Sequence, residues 1–306
     1  MLTRLIRGFI VCCLALLCPT VFAMDSSNFQ INWDSVNSGG DDVSSSTNYR
    51  LRDTIGEQAT GFSTSTVFTM SAGYRVGDQD LSSLTFSLGT QENATKVSYS
   101  SFSSSTKSVV VSNIGSFAVG DLIAVVENEG LSQQVVVGRI FAINGLTITV
   151  DQWDGATSSV TATPAGGDDS VYRLEGSIAN LSILSPALGK TSVTALSVSS
   201  NAENGYHVSV YDDGNLRYGA LAYIANVSDG TVTIGSEEYG AQMFGITASS
   251  TGSDFGFSSS TARVIQENTV ETLLDRVVLV YKAAISSATA AGNYTHEVYY
   301  EVTANY

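Results

Sequence analysis

His207 and His296 are the chain's whole supply of imidazole, and its three cysteines, Cys12, Cys13 and Cys18, all sit near the amino terminus. A zinc site draws most of its four ligands from these two residue types. Here both histidines would have to meet carboxylates from distant strands, and neither stands in a metal-ligand spacing. His207 alternates with Tyr206 and Val208, on the polar parity of a predicted strand, and is expected to be exposed. His296 falls on the apolar parity near the head of the last strand and is expected to be a hydrogen-bonded sheet-end residue. No metal cofactor is assigned on this basis, and nucleophilic hydrolysis is no better supplied. Serine is abundant, but G-x-S-x-G is absent. Gly189-Lys190-Thr191 mimics the end of a phosphate loop, yet Leu184 occupies the place of its first glycine and no helix is predicted to follow.

Acid pairs are the other route to catalysis, since glycoside hydrolysis needs only two carboxylates. Asp168-Asp169, Asp212-Asp213 and Glu237-Glu238 are adjacent in sequence, so on a strand their side chains diverge. Asp212-Asp213-Gly214-Asn215 reads as a hairpin turn, with calcium at a loop as its functional alternative. The EF-hand pattern is absent. Trp153, flanked by Asp151 and Asp154, is a candidate sugar-stacking platform on an exposed loop, with core capping as the plainer reading. Trp33 and Tyr74 are further aromatic candidates.

Extended elements must position these residues. Ser, Thr, Gly, Val and Tyr are frequent and charged residues few, which disfavours helix and suits a pleated surface. Residues 24–77 carry a polar stretch, Asn37 to Thr47, and an echo in which Ser46–Leu51 aligns with Ser65–Met70. The echo predicts a hairpin or two related edge strands. Leu84–Leu88 is one strand; residues 97–175 then carry tightly spaced ones at Ser108–Val111, Leu122–Glu127, Val135–Ile143 and Leu146–Asp151. Asn144-Gly145 is the strongest hairpin signal, because both residues tolerate positive φ. This run suits a small curved barrel ending at Gly166-Gly167-Asp168-Asp169.

Longer strands follow at Val193–Ser199, Gly205–Tyr211, Thr231–Ile234, Val277–Ile285 and Tyr294–Tyr306, while Val264–Leu274 has weak helical spacing. The predicted fold is all-β: an Ig-like or jelly-roll sandwich from residues 78–96 plus 176–306, a small barrel inserted at 97–175, and an N-terminal hairpin segment. Three domains in a row is the alternative. The last strand alternates strictly, with Tyr294, His296, Val298, Tyr300, Val302, Ala304 and Tyr306 on one face.

Arg4 and Arg7 before the apolar run Phe9–Leu17, and Val21-Phe22-Ala23 after it, predict a secretory leader over residues 1–23. Leu17 before Cys18 argues against lipid modification there. Cleavage after Ala23 removes every cysteine and leaves 12 basic against 29 acidic residues, so disulfides cannot staple the exported product. Such a surface repels nucleic acid and anionic lipid. No later segment is long and apolar enough to span a bilayer as a helix.

Ala291-Gly292-Asn293-Tyr294 and the strand after it resemble the C-terminal end of spore-coat-U-type and fimbrial-subunit sandwiches. Ala202-Glu203-Asn204-Gly205-Tyr206 is similar to a strand entry of exported bacterial surface proteins, and Asn32–Gly40 through Gly73-Tyr74-Arg75 resembles the start of secreted bacterial proteins. Such fimbrial subunits commonly carry a disulfide, which this chain lacks once processed, and the 97–175 insert has no counterpart in them. The resemblance implies a non-enzymatic, secreted or cell-surface structural protein acting by sheet assembly, with Tyr294, Val298, Tyr300, Val302 and Tyr306 as the assembly strand. Its partners would be further copies or other surface proteins. The alternative is a secreted glycan-binding adhesin that uses the barrel. A hydrolase would instead need a deep cleft lined by carboxylates.

Overall fold

The structure, a computed structural model, describes residues 83–164, 166–219, 221–249 and 251–305, with the backbone of six short strands before them. Residues 1–23, for which a leader is predicted, Trp33, Tyr74, most of the Asn37–Thr47 stretch and Tyr306 lie outside the described residues. The chain divides into two compact units, Met1–Asp80 and Leu81–Tyr306.

In the first unit the strands pair locally: β1 (Met24–Asp25) with β2 (Gln30–Ile31), β3 (Ser44–Ser45) with β4 (Arg50–Leu51), and β5 (Gly61–Thr64) with β6 (Thr69–Ala72). Of the echoed segments, the described residues Arg50–Leu51 and Thr69–Met70 pair with β3 and β5 respectively.

The second unit is all-β. It opens with β7 (Leu84–Thr90) and a 3-10 turn at Asn93–Thr95. The insert follows as β8 (Tyr99–Ser103), β9 (Ser108–Val111), β10 (Leu122–Glu127), β11 (Gln134–Asn144), β12 (Thr147–Val150), β13 (Asp154–Gly155) and β14 (Ser170–Leu174). Its sheet runs β14-β10-β11-β12-β9-β8 and curls until Val97, just before β8, exchanges two backbone bonds with Val171 of β14. That contact closes a barrel around Ile123, Val125, Val136, Ile148 and Val171. The β11–β12 turn centres one residue later than the Asn-Gly signal predicts. Asn144 pairs with Thr147, and Gly145, at φ 60°, takes the position that favours glycine.

The remaining strands are β15 (Lys190–Ser200), β16 (Tyr206–Asp212), β17 (Leu216–Tyr218), β18 (Ala222–Asn226), β19 (Glu238–Phe244), β20 (Arg263–Asn268), β21 (Thr272–Ala284) and β22 (Val298–Ala304). They build a six-stranded sheet, β17-β18-β19-β21-β15-β7, and a three-stranded sheet, β20-β16-β22. The weak helical spacing of Val264–Leu274 is overruled: these residues form β20, a turn and the start of β21. Thr231–Ile234 is a loop, although Val232 is buried.

Burial explains the sequence pattern. Val198, Leu196 and Leu279 face the sandwich interior with Val208, Val210 and Ile265. The intervening Val193, Ala195, Val278 and Val280 pack outward on Leu122, Ala124, Val126, Val135 and Val137 of the barrel wall. The six-stranded sheet is thus covered on both faces, so β15 and the second half of β21 read as continuous buried runs. Residues 122–126 are apolar on both faces for the same reason, because Ile123 and Val125 fill the barrel while Leu122 and Ala124 dock on the sandwich. The insert shares a core with the sandwich and is not a detached module.

Candidate functional site

The strand that closes the chain is open on one side. β22 pairs with β16 alone, in the register Tyr206↔Ala304 to Asp212↔Val298. The same register brings Asn305 N–H onto the Gly205 carbonyl at 2.8 Å and Asp213 N–H onto the Glu297 carbonyl at 3.1 Å. Antiparallel bonding alternates along a strand. The odd positions of β22 therefore bond β16, and Val298, Tyr300, Val302 and Ala304 direct amide and carbonyl to the other side. Among the described residues no strand pairs with them there. The expected side-chain alternation is present over Val298–Ala304: even positions pack on the core and Tyr299, Glu301 and Thr303 are exposed. The ladder itself is seven residues long, not thirteen. Ahead of it, Thr295 bridges to Arg217 of β17.

A second edge borders the same space, closed among the described residues only at its end, where the Thr90 carbonyl accepts the Glu175 amide at 2.8 Å. β7 ends the six-stranded sheet, and its Phe86 ring lies 6.4 Å from that of Tyr300. Between the sheets at this margin runs a cleft of about 990 Å³, flanked by the irregular segments 177–186 and 285–296. Ile178 and Ile183 on the first segment are largely exposed. Leu88, Leu181, Leu184 and Val298 give the cleft apolar walls, and no carboxylate lines it.

Its floor is aromatic with polar tips. Tyr281 and Tyr300 share a hydroxyl hydrogen bond. Tyr239 stacks on Tyr281 at 6.2 Å and meets the His296 ring edge-on at 4.8 Å. His296 is bonded at both nitrogens, Nε2 to the Tyr239 hydroxyl at 2.9 Å and Nδ1 to the Gly214 carbonyl at 3.1 Å. It is the satisfied sheet-end histidine that the alternation predicts. Burial pushes its pKa down; the Gly214 bond and the Asp212 carboxylate oppose the shift without cancelling it. Burial likewise raises the phenols of Tyr239, Tyr281 and Tyr300, so all three are neutral hydrogen-bonding groups. Thr194 Oγ1 also borders the cleft, buried and without a partner.

The barrel-loop aromatic is elsewhere and is not exposed. Trp153 is 9% exposed and packs on Phe102, with ring centroids 5.3 Å apart, inside the barrel core. It cannot present a face to a sugar; the plainer reading of core capping is the one the structure gives. Asp151 and Asp154 hold the fully buried guanidinium of Arg276 on β21, with Nη1 3.1 Å from each. Burial disfavours ionisation of Asp151, but Arg276 and two backbone amides outweigh it and leave the pKa below its ordinary value. For Asp154 burial wins and the pKa is raised.

The acid pairs serve loops. Asp213 pairs with Arg217, and Asp212 accepts from Asn226 Nδ2 at 3.0 Å. Their segment is a crossover between sheets rather than a hairpin, because β16 and β17 belong to different sheets. Asp169 accepts from the amides of Asn128 and Gly166, and Glu237 from Ser286 and Thr289. No metal-binding group of three or more His, Cys, Asp or Glu forms among the described residues. His207 is half-buried against Asn305, 3.3 Å away. Gly189-Lys190-Thr191 leads directly into β15.

Sequence reasoning missed Tyr239, Arg276 and Lys282, none of which stands in a local motif. A charge set inside an otherwise apolar run, as Lys282 in Val277–Ala284 of β21, is the one signal that marks a buried ion pair. Comparison of the chain with family models, with curated proteins and with solved structures gave no match.

Proposed function

We propose that the protein is an exported surface subunit of coat or fimbrial type that works by sheet pairing between copies of itself. The observation that carries this reading is the open edge of β22 beside the tyrosine-floored cleft. An unpaired edge is a ready template for another strand, and an apolar groove alongside it supplies seats for alternate side chains. The occupant is a strand of a second copy. Each processed copy would carry residues 24–80, with their strand-forming segments, outside its own compact 81–306 unit. The predicted leader and cysteine-free product agree with work outside the cytoplasm. The glycan-binding alternative loses support with the burial of Trp153. Electron microscopy of the purified protein at rising concentration tests the reading. It predicts oligomers or filaments that grow with concentration; isolated single particles throughout contradict it.

A further inference from the structure

Away from that cleft, the outer face of the six-stranded sheet holds three groups whose arrangement has chemical consequences. Lys282 on β21 is 3% exposed, and its Nζ lies 2.7 Å from the Gln242 Oε1 on β19 and 2.7 Å from Asp254 Oδ1. Lys282 pairs directly with Gly240, so Gln242 is its diagonal neighbour on the same face. Asp254 is itself buried, and its other oxygen accepts the Val232 amide at 2.8 Å. Val227, Val232, Ala284 and Leu131 form an apolar cluster over this end of the sheet. A cleft of about 610 Å³ opens beside Gln242, Asp254 and Lys282 and leads to solvent.

A buried amine that touches both a carboxamide carbonyl and a buried carboxylate brings together the ingredients of amide exchange. We propose that Lys282 and Gln242 become joined by a side-chain amide bond, with Asp254 as the catalytic residue that moves the protons. Asp254 takes one proton from the ammonium, and the neutral Nζ attacks Cδ of Gln242. The carbon–nitrogen bond to the carboxamide NH2 breaks, and that nitrogen leaves as ammonia carrying the second Nζ proton. Atoms and charge balance: an ammonium, a carboxylate and a carboxamide become an amide, a neutral carboxyl and ammonia. No oxidant or cofactor enters. The reaction removes a buried ion pair, whose desolvation is expensive, and leaves only neutral hydrogen-bonding groups. Ammonia departs through the adjoining cleft. The product is a covalent tie between β19 and β21 in a chain whose cysteines all precede residue 19.

Tryptic mapping of the purified full chain by mass spectrometry tests this. Trypsin cannot cut after an acylated lysine, and no Lys or Arg follows Lys282. The linked chain yields residues 218–263 joined to residues 277–306, lighter than the two peptides together by one ammonia. Lys282→Arg and Asp254→Asn both abolish the joined species. A free 277–282 peptide as the sole product from the wild type overturns the proposal, as does deamidation of Gln242 with Lys282 unmodified. A joined species that persists undiminished in Asp254→Asn overturns the role given to Asp254.

Discussion

Tyr281 and Tyr300 meet hydroxyl to hydroxyl across the sandwich, one from an inner strand of the six-stranded sheet and the other from the open edge of the three-stranded sheet. The contact ties the edge strand to the opposite layer while leaving its outward backbone groups unbonded. Tyr300→Phe removes one hydroxyl and strands the other in a buried place. That should lower unfolding free energy by about 1–3 kcal/mol. Tyr281→Phe should cost a similar amount, and the double variant less than the sum of the two. Urea titration of the three variants reads this coupling.

His296 makes stability depend on pH. Its folded-state pKa lies below the ordinary value of 6.5, so the unfolded chain binds a proton more readily. The stabilisation is complete above the unfolded value and declines as pH falls through it towards the folded value. Between pH 7.5 and about 5.5, the urea midpoint should fall more in the wild type than in His296→Gln. A wild type and variant with parallel profiles would remove His296 from this role.

Arg276 is the junction between barrel and sandwich. Its side chain is fully buried and both its carboxylate partners come from the barrel, at the β12–β13 connection. Arg276→Met leaves two carboxylates facing an apolar stem, and breaking such a pair costs about 3–5 kcal/mol. Arg276→Lys should recover only part of this, because one ammonium cannot fork between Asp151 and Asp154. Chemical denaturation followed by tryptophan fluorescence reports the loss.

Trp153→Ala should behave as a core truncation. Removing the ring opens a cavity against Phe102, at a cost of roughly 3–5 kcal/mol. A glycan array comparing the wild type with this variant should show no Trp153-dependent signal. Sugar binding abolished by Trp153→Ala at unchanged stability would restore the adhesin reading.

Much of the fold was legible because strand periodicity is local. Ser108–Val111 and Leu122–Glu127 match the observed strands residue for residue, and the alternation of Val298–Ala304 gave the correct buried face. Tertiary context decided the rest. Val264–Leu274 has apolar residues at helical spacing, yet β16 offers an edge for pairing and captures the segment as strand. Trp153 between two aspartates looked like an exposed polar site; the aspartates are there to hold Arg276, and the ring between them turns inward. The cleft was not legible at all. It arises from two strands 208 positions apart, β7 and β22, ending different sheets on one side.

Sedimentation velocity of the wild type and Val302→Pro over a wide concentration range tests the central claim most directly. Proline at position 302 removes an outward-facing amide and is tolerated on an edge strand, so it blocks pairing on the open side without breaking the β16 ladder. The wild type should gain mass with concentration, while the variant stays monomeric with an unchanged circular dichroism spectrum. A wild type that remains monomeric at every concentration, or a folded variant that assembles equally well, would contradict it.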